Sequence, residues 1–187
     1  MSQSTPAKTP ARATPADEHD VSPAEVARVE AAVWAEIEAY GMVCERLACD
    51  PSLADTAAFC AHYGIDPADS ANAIIVASKK KPKTYVTCLL LADSRLDVNR
   101  VVCKLLGVKR ASFASADETR ALSGQLIGGV TIVGWPTPLP LYIDARVMTR
   151  ERIVVGGGSR SSKLRLSPNE LRKLPNARVI DDLATPR

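Results

Sequence analysis

Glycine is the residue type whose placement says most about chemistry in this chain. Seven of its ten glycines (Gly124, Gly128, Gly129, Gly134, Gly156, Gly157 and Gly158) fall in the forty-one residues from Ser123 to Lys163. They surround two short β-like runs, Leu139 to Ile143 and Arg152 to Val155. Glycine permits positive φ and close backbone approach. Crowding of this kind fits a ligand resting against main-chain N–H groups, and it fits equally the tight turns and bulges of a small barrel. Conventional catalytic side chains are scarce. His19 lies in a polar N-terminal tract and His62 at the end of a predicted helix, which leaves a Ser-His-Asp triad without a base. Cys60 shares that short helix with His62 but has no orienting acid, and reads as a packed thiol. The run GGGSRSSK (156–163) lacks the terminal GK[ST] of a phosphate loop, and no GxGxxG is present.

The remaining composition narrows the class. A length of 187 residues fits one domain with appendages, at ~150 residues per domain. An apolar fraction of 46% supports a core, but with two Phe, two Trp and four Tyr it must be built from Val, Ile, Leu and Ala. No apolar run approaches the ~20 residues of a membrane span, and no apolar leader region is present. The five cysteines are odd in number and form no CxxC pair, so they read as reduced, mostly buried thiols of a cytoplasmic protein. With only two histidines they offer no metal-ligand spacing, and neither metal nor cofactor is expected. The net charge of +3 is unevenly spread. Residues 17 to 69 are acid-rich, whereas Lys79, Lys80, Lys81, Lys83, Arg146, Arg150, Arg152, Arg160, Lys163 and Arg165 come later. That asymmetry suits a polyanionic partner, or an ordinary solvated basic face.

Local signals then place the elements. Residues 1–20 are rich in Ser, Thr, Pro and Ala and are expected to be a disordered tail. Ser22-Pro-Ala-Glu25 is a capping box that opens a helix through Val26, Val29, Val33, Ile37 and Tyr40, stopped by Gly41. This helix dominates an expected N-terminal extension, residues 21–50. A second helix is predicted over Leu53–His62, strands over Ile74–Ala77 and Tyr85–Leu91, and a helix over Asp97–Leu106. Ser115–Glu118 caps a short helix, strands are expected to dominate through Leu166, Ser167–Glu170 caps a last helix, and Ala177–Ile180 adds an edge strand. The late strands are too close for βαβ crossovers. The fold class is therefore α+β, a mixed, barrel-like sheet flanked by helices with an extra helix in front.

The segment from about Asp55 to Leu183 resembles the YbaK/EbsC family, aminoacyl-tRNA editing domains related to the insertion domain of bacterial prolyl-tRNA synthetases. Asn72-Ala-Ile-Ile-Val-Ala resembles the strand that carries the family's active-site lysine. Arg95–Arg100 with Leu105–Arg110 resembles its helix and following turn. Gly124-x3-Gly128-Gly129-Val130-Thr131 resembles the GxxxGG-hydrophobic-[ST]-P signature. Leu139 to Asp144 resembles the next strand, and Val155–Gly158 the late glycine turn. The order and spacing of these motifs carry the likeness, over roughly two thirds of the chain, and residues 51–187 are read as the editing domain.

The resemblance implies hydrolysis of the ester between a mischarged amino acid and the terminal adenosine of a tRNA, by a free-standing trans-editing enzyme. Asn72, Gly128, Gly129 and Thr131 are the implied catalytic set, the glycine N–H groups serving as oxyanion donors. Asp144, Gly156, Gly157, Gly158, Arg160 and Lys163 are the implied substrate-binding set. The Lys79–Lys83 turn, Arg160 and Lys163 would hold acceptor-end phosphates. This sequence departs from the pattern at three points: Asn72 stands in place of lysine, Ile132 in place of proline, and Lys163 where cysteinyl-tRNA deacylases carry aspartate. Cysteine specificity is therefore not carried over. A second reading is a non-catalytic module that binds the tRNA acceptor end or an aminoacyl-nucleotide. A third is docking on an aminoacyl-tRNA synthetase through the Val26–Tyr40 helix.

Overall fold

Ser22 starts the first helix as its position predicts. Its Oγ accepts from the Glu25 N–H at 3.2 Å, Pro23 takes the first turn, and α1 runs Pro23–Ala39. The computed structural model describes residues 21–187, so the expected tail at 1–20 lies outside the described residues. Gly41, at φ +58°, ends the helix. Val33 and Ile37 enter the main core, and Val29 is buried beside them. The apolar stripe Val29, Val33 and Ile37 of α1 is thus buried against its own domain.

Among the described residues, the rest of the chain builds three β-sheets. Strands β1 (Cys44–Ala48), β7 (Ile153–Gly156) and β8 (Ser162–Leu166) form an antiparallel sheet in the order β1-β8-β7. Strands β2 (Ala71–Ser78), β3 (Tyr85–Leu91), β5 (Ala111–Phe113), β6 (Leu141–Asp144) and β9 (Ala177–Ile180) form a five-stranded sheet in the order β5-β2-β3-β6-β9. A two-stranded ribbon pairs β4 (Ser94–Leu96) with β10 (Ala184–Pro186). The pairs β3–β6 and β6–β9 are parallel and the others antiparallel, so the large sheet is mixed. A parallel bridge between Ser70 and Val154 joins the two larger sheets. Helices α2 (Thr56–Tyr63), α3 (Cys103–Leu105) and α4 (Ala116–Ser123) lie between strands in sequence. The class is α+β, with a core of Val, Ile and Leu to which Phe59 is the one buried phenylalanine.

The sequence misplaces some boundaries for identifiable reasons. Pro51–Leu53 is a separate 3-10 turn capped by Asp50, so α2 begins only at Thr56. Val98–Val102 is π-helical before α3. The helix after Ser167 is 3-10, Pro168–Lys173. Residues 124–140 contain no strand, because Gly124, Gly128 and Gly134 take positive φ and Pro136, Pro138 and Pro140 lack N–H donors.

Several side chains hold that strandless loop, and Gln125 does so from within it. Buried Gln125 donates to the Val133 carbonyl at 2.6 Å and accepts from the Thr131 N–H at 2.8 Å. Replacing Gln125 with leucine leaves both backbone groups buried without a partner, at roughly 1–3 kcal/mol each. Urea unfolding is expected to show a loss of ~2 kcal/mol or more.

Candidate active site

The two glycine clusters meet because the loop and the β7–β8 turn exchange backbone hydrogen bonds. Leu126 N–H donates to Gly158 O at 3.0 Å, and Gly158 N–H donates to Gly129 O at 2.7 Å. Contact is so close that a Cβ on Gly129 would fall 2.0 Å from Ser159 O, and one on Gly156 would fall 2.3 Å from both Gly129 O and Val130 O. From behind, α1 seals this contact. Val33 sits against Gly134 and Gly158, Glu30 accepts from Ser159 Oγ, and Glu36 accepts from the Gly134 N–H.

In front of the joined loops lies a cavity of about 350 Å³, within the range of small-ligand sites. The start of α2 contributes Asp55, Thr56 and Phe59, and β2 contributes Ala71 to Ile75. Ile127, Gly128, Val130 and Val154 to Gly156 form the glycine-rich wall, and Phe113 with α4 closes another side. Lys163 lines it from the central strand β8.

Lys163 is the main electrostatic feature. It is 6% exposed, and its Nζ donates to Ala54 O at 2.8 Å and Gly128 O at 3.2 Å. The ammonium also stands 5.3 Å from the Phe59 ring centre, a cation–π contact. Two of its three donors are thus occupied, and among the described residues no carboxylate pairs with it. Burial pushes its pKa below the usual lysine value. The nearby Cys49, Asp55 and Cys60 oppose that shift, and the Arg160 charge adds to it. Opposite, Asn72 Oδ1 accepts from Thr56 Oγ1 at 2.7 Å, which leaves the amide's N–H donors for a ligand.

Peptide planarity decides which glycine N–H faces which way. Gly128 O is tied to Lys163, and in a trans peptide the next N–H points in the opposite direction. That N–H, of Gly129, donates to Leu126 O at 2.9 Å. Ile127 O accepts from Arg160 Nη1 at 3.3 Å, so the Gly128 N–H points away from Arg160. Among the described residues nothing accepts from it.

Of the ten residues implied by sequence, Asn72, Gly128, Gly156 and Lys163 line the cavity. The other six do not. Gly129 and Gly158 join the loops, and the Gly157 N–H donates to Ser162 O at 3.1 Å. Arg160 is buried and also donates to Pro51 O at 2.9 Å. Asp144 is buried at the end of β6, where its carboxylate accepts from Arg146 N–H and Ala184 N–H at 3.1 and 2.8 Å. Thr131 is fully buried, and its Oγ1 has no partner among the described residues. Thr131→Val is expected to keep the protein as stable or more so, by roughly 1 kcal/mol in urea unfolding; a marked loss of stability would show that the hydroxyl has a partner.

The structure adds residues that sequence reasoning passed over: Asp55, Thr56, Phe59 and Phe113. Only Phe113 had a local signal, an aromatic in a run of Ala and Ser three residues after Arg110. In the basic hairpin, Lys83 pairs with Glu118, whose carboxyl is held down to about 2 by Lys83, then by the Ser115 N–H and the Tyr85 hydroxyl. Lys79, Lys80 and Lys81 are exposed, without an acidic partner among the described residues. All five cysteines are free thiols, and all but Cys44 are buried. Burial pushes the Cys88 thiol up to about 12, so it is inert as a nucleophile. No group of metal-ligating side chains occurs among the described residues, nor any helix long and apolar enough to cross a membrane.

Known proteins share this fold. A family profile described as the aminoacyl-tRNA editing domain matches residues 50–174. A crystal structure of a candidate trans-editing enzyme for prolyl tRNA synthetase is 26% identical, with a TM-score of 0.71 over 87% of this chain and 98% of that one. The hypothetical protein APE2540 is also 26% identical, with a TM-score of 0.72 over 83% of this chain and 99% of that one. The chain belongs to the aminoacyl-tRNA editing domain family.

Proposed function

We propose that this protein is a deacylase acting in trans on mischarged tRNA, in the cytoplasm, by hydrolysing the ester between the amino acid and the terminal ribose. One observation carries the reading: a buried ammonium, Lys163, shares a small cavity with a peptide wall whose Gly128 N–H is uncommitted. Ester hydrolysis develops negative charge on the carbonyl oxygen, and preorganised donors in a dry site stabilise it. The third Lys163 proton and the Gly128 N–H are such donors. Water attacks the carbonyl carbon, the C–O bond to the ribose breaks, and the water's proton passes to the departing ribose oxygen. The neighbouring ribose hydroxyl orients the water, so no protein base is required. Asn72 holds the adenosine or the water through its amide donors. Small side chains along β2 and β7 bound the amino-acid end.

The test is release of free amino acid from a panel of mischarged tRNAs. At least one substrate is expected to be cleaved above the spontaneous rate, and Asn72→Ala to slow it by roughly 10-fold, one hydrogen bond to a polar partner. No release across the panel overturns the reading. Activity that appears only in Asn72→Lys would favour a module that binds the acceptor end without cleaving it.

A further inference from the structure

Phe113 and Ile74 face two spaces at once. Both line the cavity, and both line a larger groove of about 1250 Å³ on its other side. The β4–β10 ribbon, the π-helical turn at Val98–Val102 and strand β5 contribute to this groove. Arg95, Arg100 and Arg187 line it, and all three are exposed. Asp97 is the one carboxylate side chain there, and it is paired with Arg100 at 2.9 Å. The Arg187 side chain donates to Ser94 O at 3.2 Å, and its backbone N–H to Asp93 O at 2.9 Å. Phe113 is 58% exposed in a chain that has only two phenylalanines. At the other end of β5 the Lys79 N–H donates to Arg110 O at 2.9 Å, which brings the exposed Lys79–Lys81 hairpin beside Lys109 and Arg110.

We propose that this groove holds the single-stranded 3′ end of the tRNA, with Phe113 as a stacking platform at its junction with the cavity and Arg95 and Arg100 on the phosphates. The inference rests on the deacylase reading for the identity of the strand. Unpaired bases are recognised by stacking on aromatic rings, and their backbone by arginines along a positive channel. The groove supplies both, net positive, and leads to the cavity where the ester must lie. The basic hairpin continues the positive surface beyond it, toward the paired stem.

The test is fluorescence anisotropy of the whole protein with a labelled single-stranded oligoribonucleotide ending in CCA, and with an uncharged tRNA transcript, across a salt series. Phe113→Ala is expected to weaken binding roughly 10- to 100-fold, the loss of one stacked base, and Phe113→Trp to preserve it. Arg95→Ala with Arg100→Ala should reduce the slope of log K against log salt by about 1.4, two single-strand phosphates. Binding and slope equal to wild type in these variants overturn the proposal, as does tighter binding of an acidic peptide than of the oligonucleotide. The two readings fail separately. A wild type that cleaves no ester but shows these binding losses removes the deacylase and keeps the groove. A wild type that cleaves, with both variants binding as before, removes the groove alone.

Discussion

Replacing Lys163 with methionine is expected to lower kcat/KM for deacylation by roughly 10²- to 10³-fold, the loss typical of removing one oxyanion donor from a preorganised site. Methionine keeps the length and apolar stem of the side chain and deletes the charge. Its cost in stability has two opposed parts. Ala54 O and Gly128 O lose a donor, but a buried ammonium without a carboxylate partner is also removed. A thermal melt near that of wild type, with activity lost, is the expected pair of results. The pH profile separates a chemical role from a packing role. Burial, the largest cause, lowers the Lys163 pKa, so the proton leaves below the ordinary lysine value. Wild-type activity, corrected for spontaneous hydrolysis, is then expected to fall at alkaline pH through that lowered value. Lys163→Arg, which stays charged, should lack that limb. The linked stability runs the other way. With the folded pKa below the unfolded one, the residue's contribution is fully present above the unfolded pKa and is lost as pH falls through the folded value. Full activity in Lys163→Met would show that the residue only braces the loop.

Gly129→Ala is expected to destabilise the protein by on the order of 3 kcal/mol or more, at the upper end of overpacking effects, and to abolish deacylation with it. Its Cβ would meet Ser159 O at 2.0 Å and Ser159 C at 2.2 Å. Both are backbone atoms, so no rotamer change relieves the clash. Moving the two loops apart breaks the Gly158–Gly129 hydrogen bond and shifts Gly128 away from Lys163. Gly124→Ala is the control. Its nearest contact is the Pro136 side chain at 3.5 Å, so only the left-handed backbone at φ +67° opposes it, at about 1–2 kcal/mol. Denaturant unfolding and deacylation measured on both variants decide the matter. A Gly129→Ala protein as stable as Gly124→Ala would mean that the two loops are not in tight contact.

The site was legible in unequal parts. Asn72 is marked by the likeness of its strand to the one that carries the family's lysine, and Lys163 as a basic residue that would hold an acceptor-end phosphate; both line the cavity. Asp144 is marked by the same resemblance, at the end of the strand from Leu139, yet its carboxylate is taken by the Arg146 and Ala184 N–H groups. Ala184 is forty residues further on, a partner that no local pattern reveals. Arg160 reads as a phosphate ligand, but it is buried and donates to Pro51 O and Ile127 O. Thr56 was hidden because the predicted helix over Leu53–His62 placed it mid-helix, whereas the 3-10 turn at Pro51–Leu53 makes it the first residue of α2, beside Asn72.

The sequence by itself determined the elements with local causes: the caps at Ser22 and Ser115, the apolar stripe of α1, strand β3, and the concentration of glycine between residues 124 and 158. These follow from hydrogen bonds and periodicities spanning a few residues. Only the tertiary structure decided which glycine N–H is left without an acceptor among the described residues. That choice turns on which distant group takes each carbonyl: Arg160 takes Ile127 O and Lys163 takes Gly128 O, each more than thirty residues away. A peptide plane has one orientation, and a neighbour far along the chain sets it.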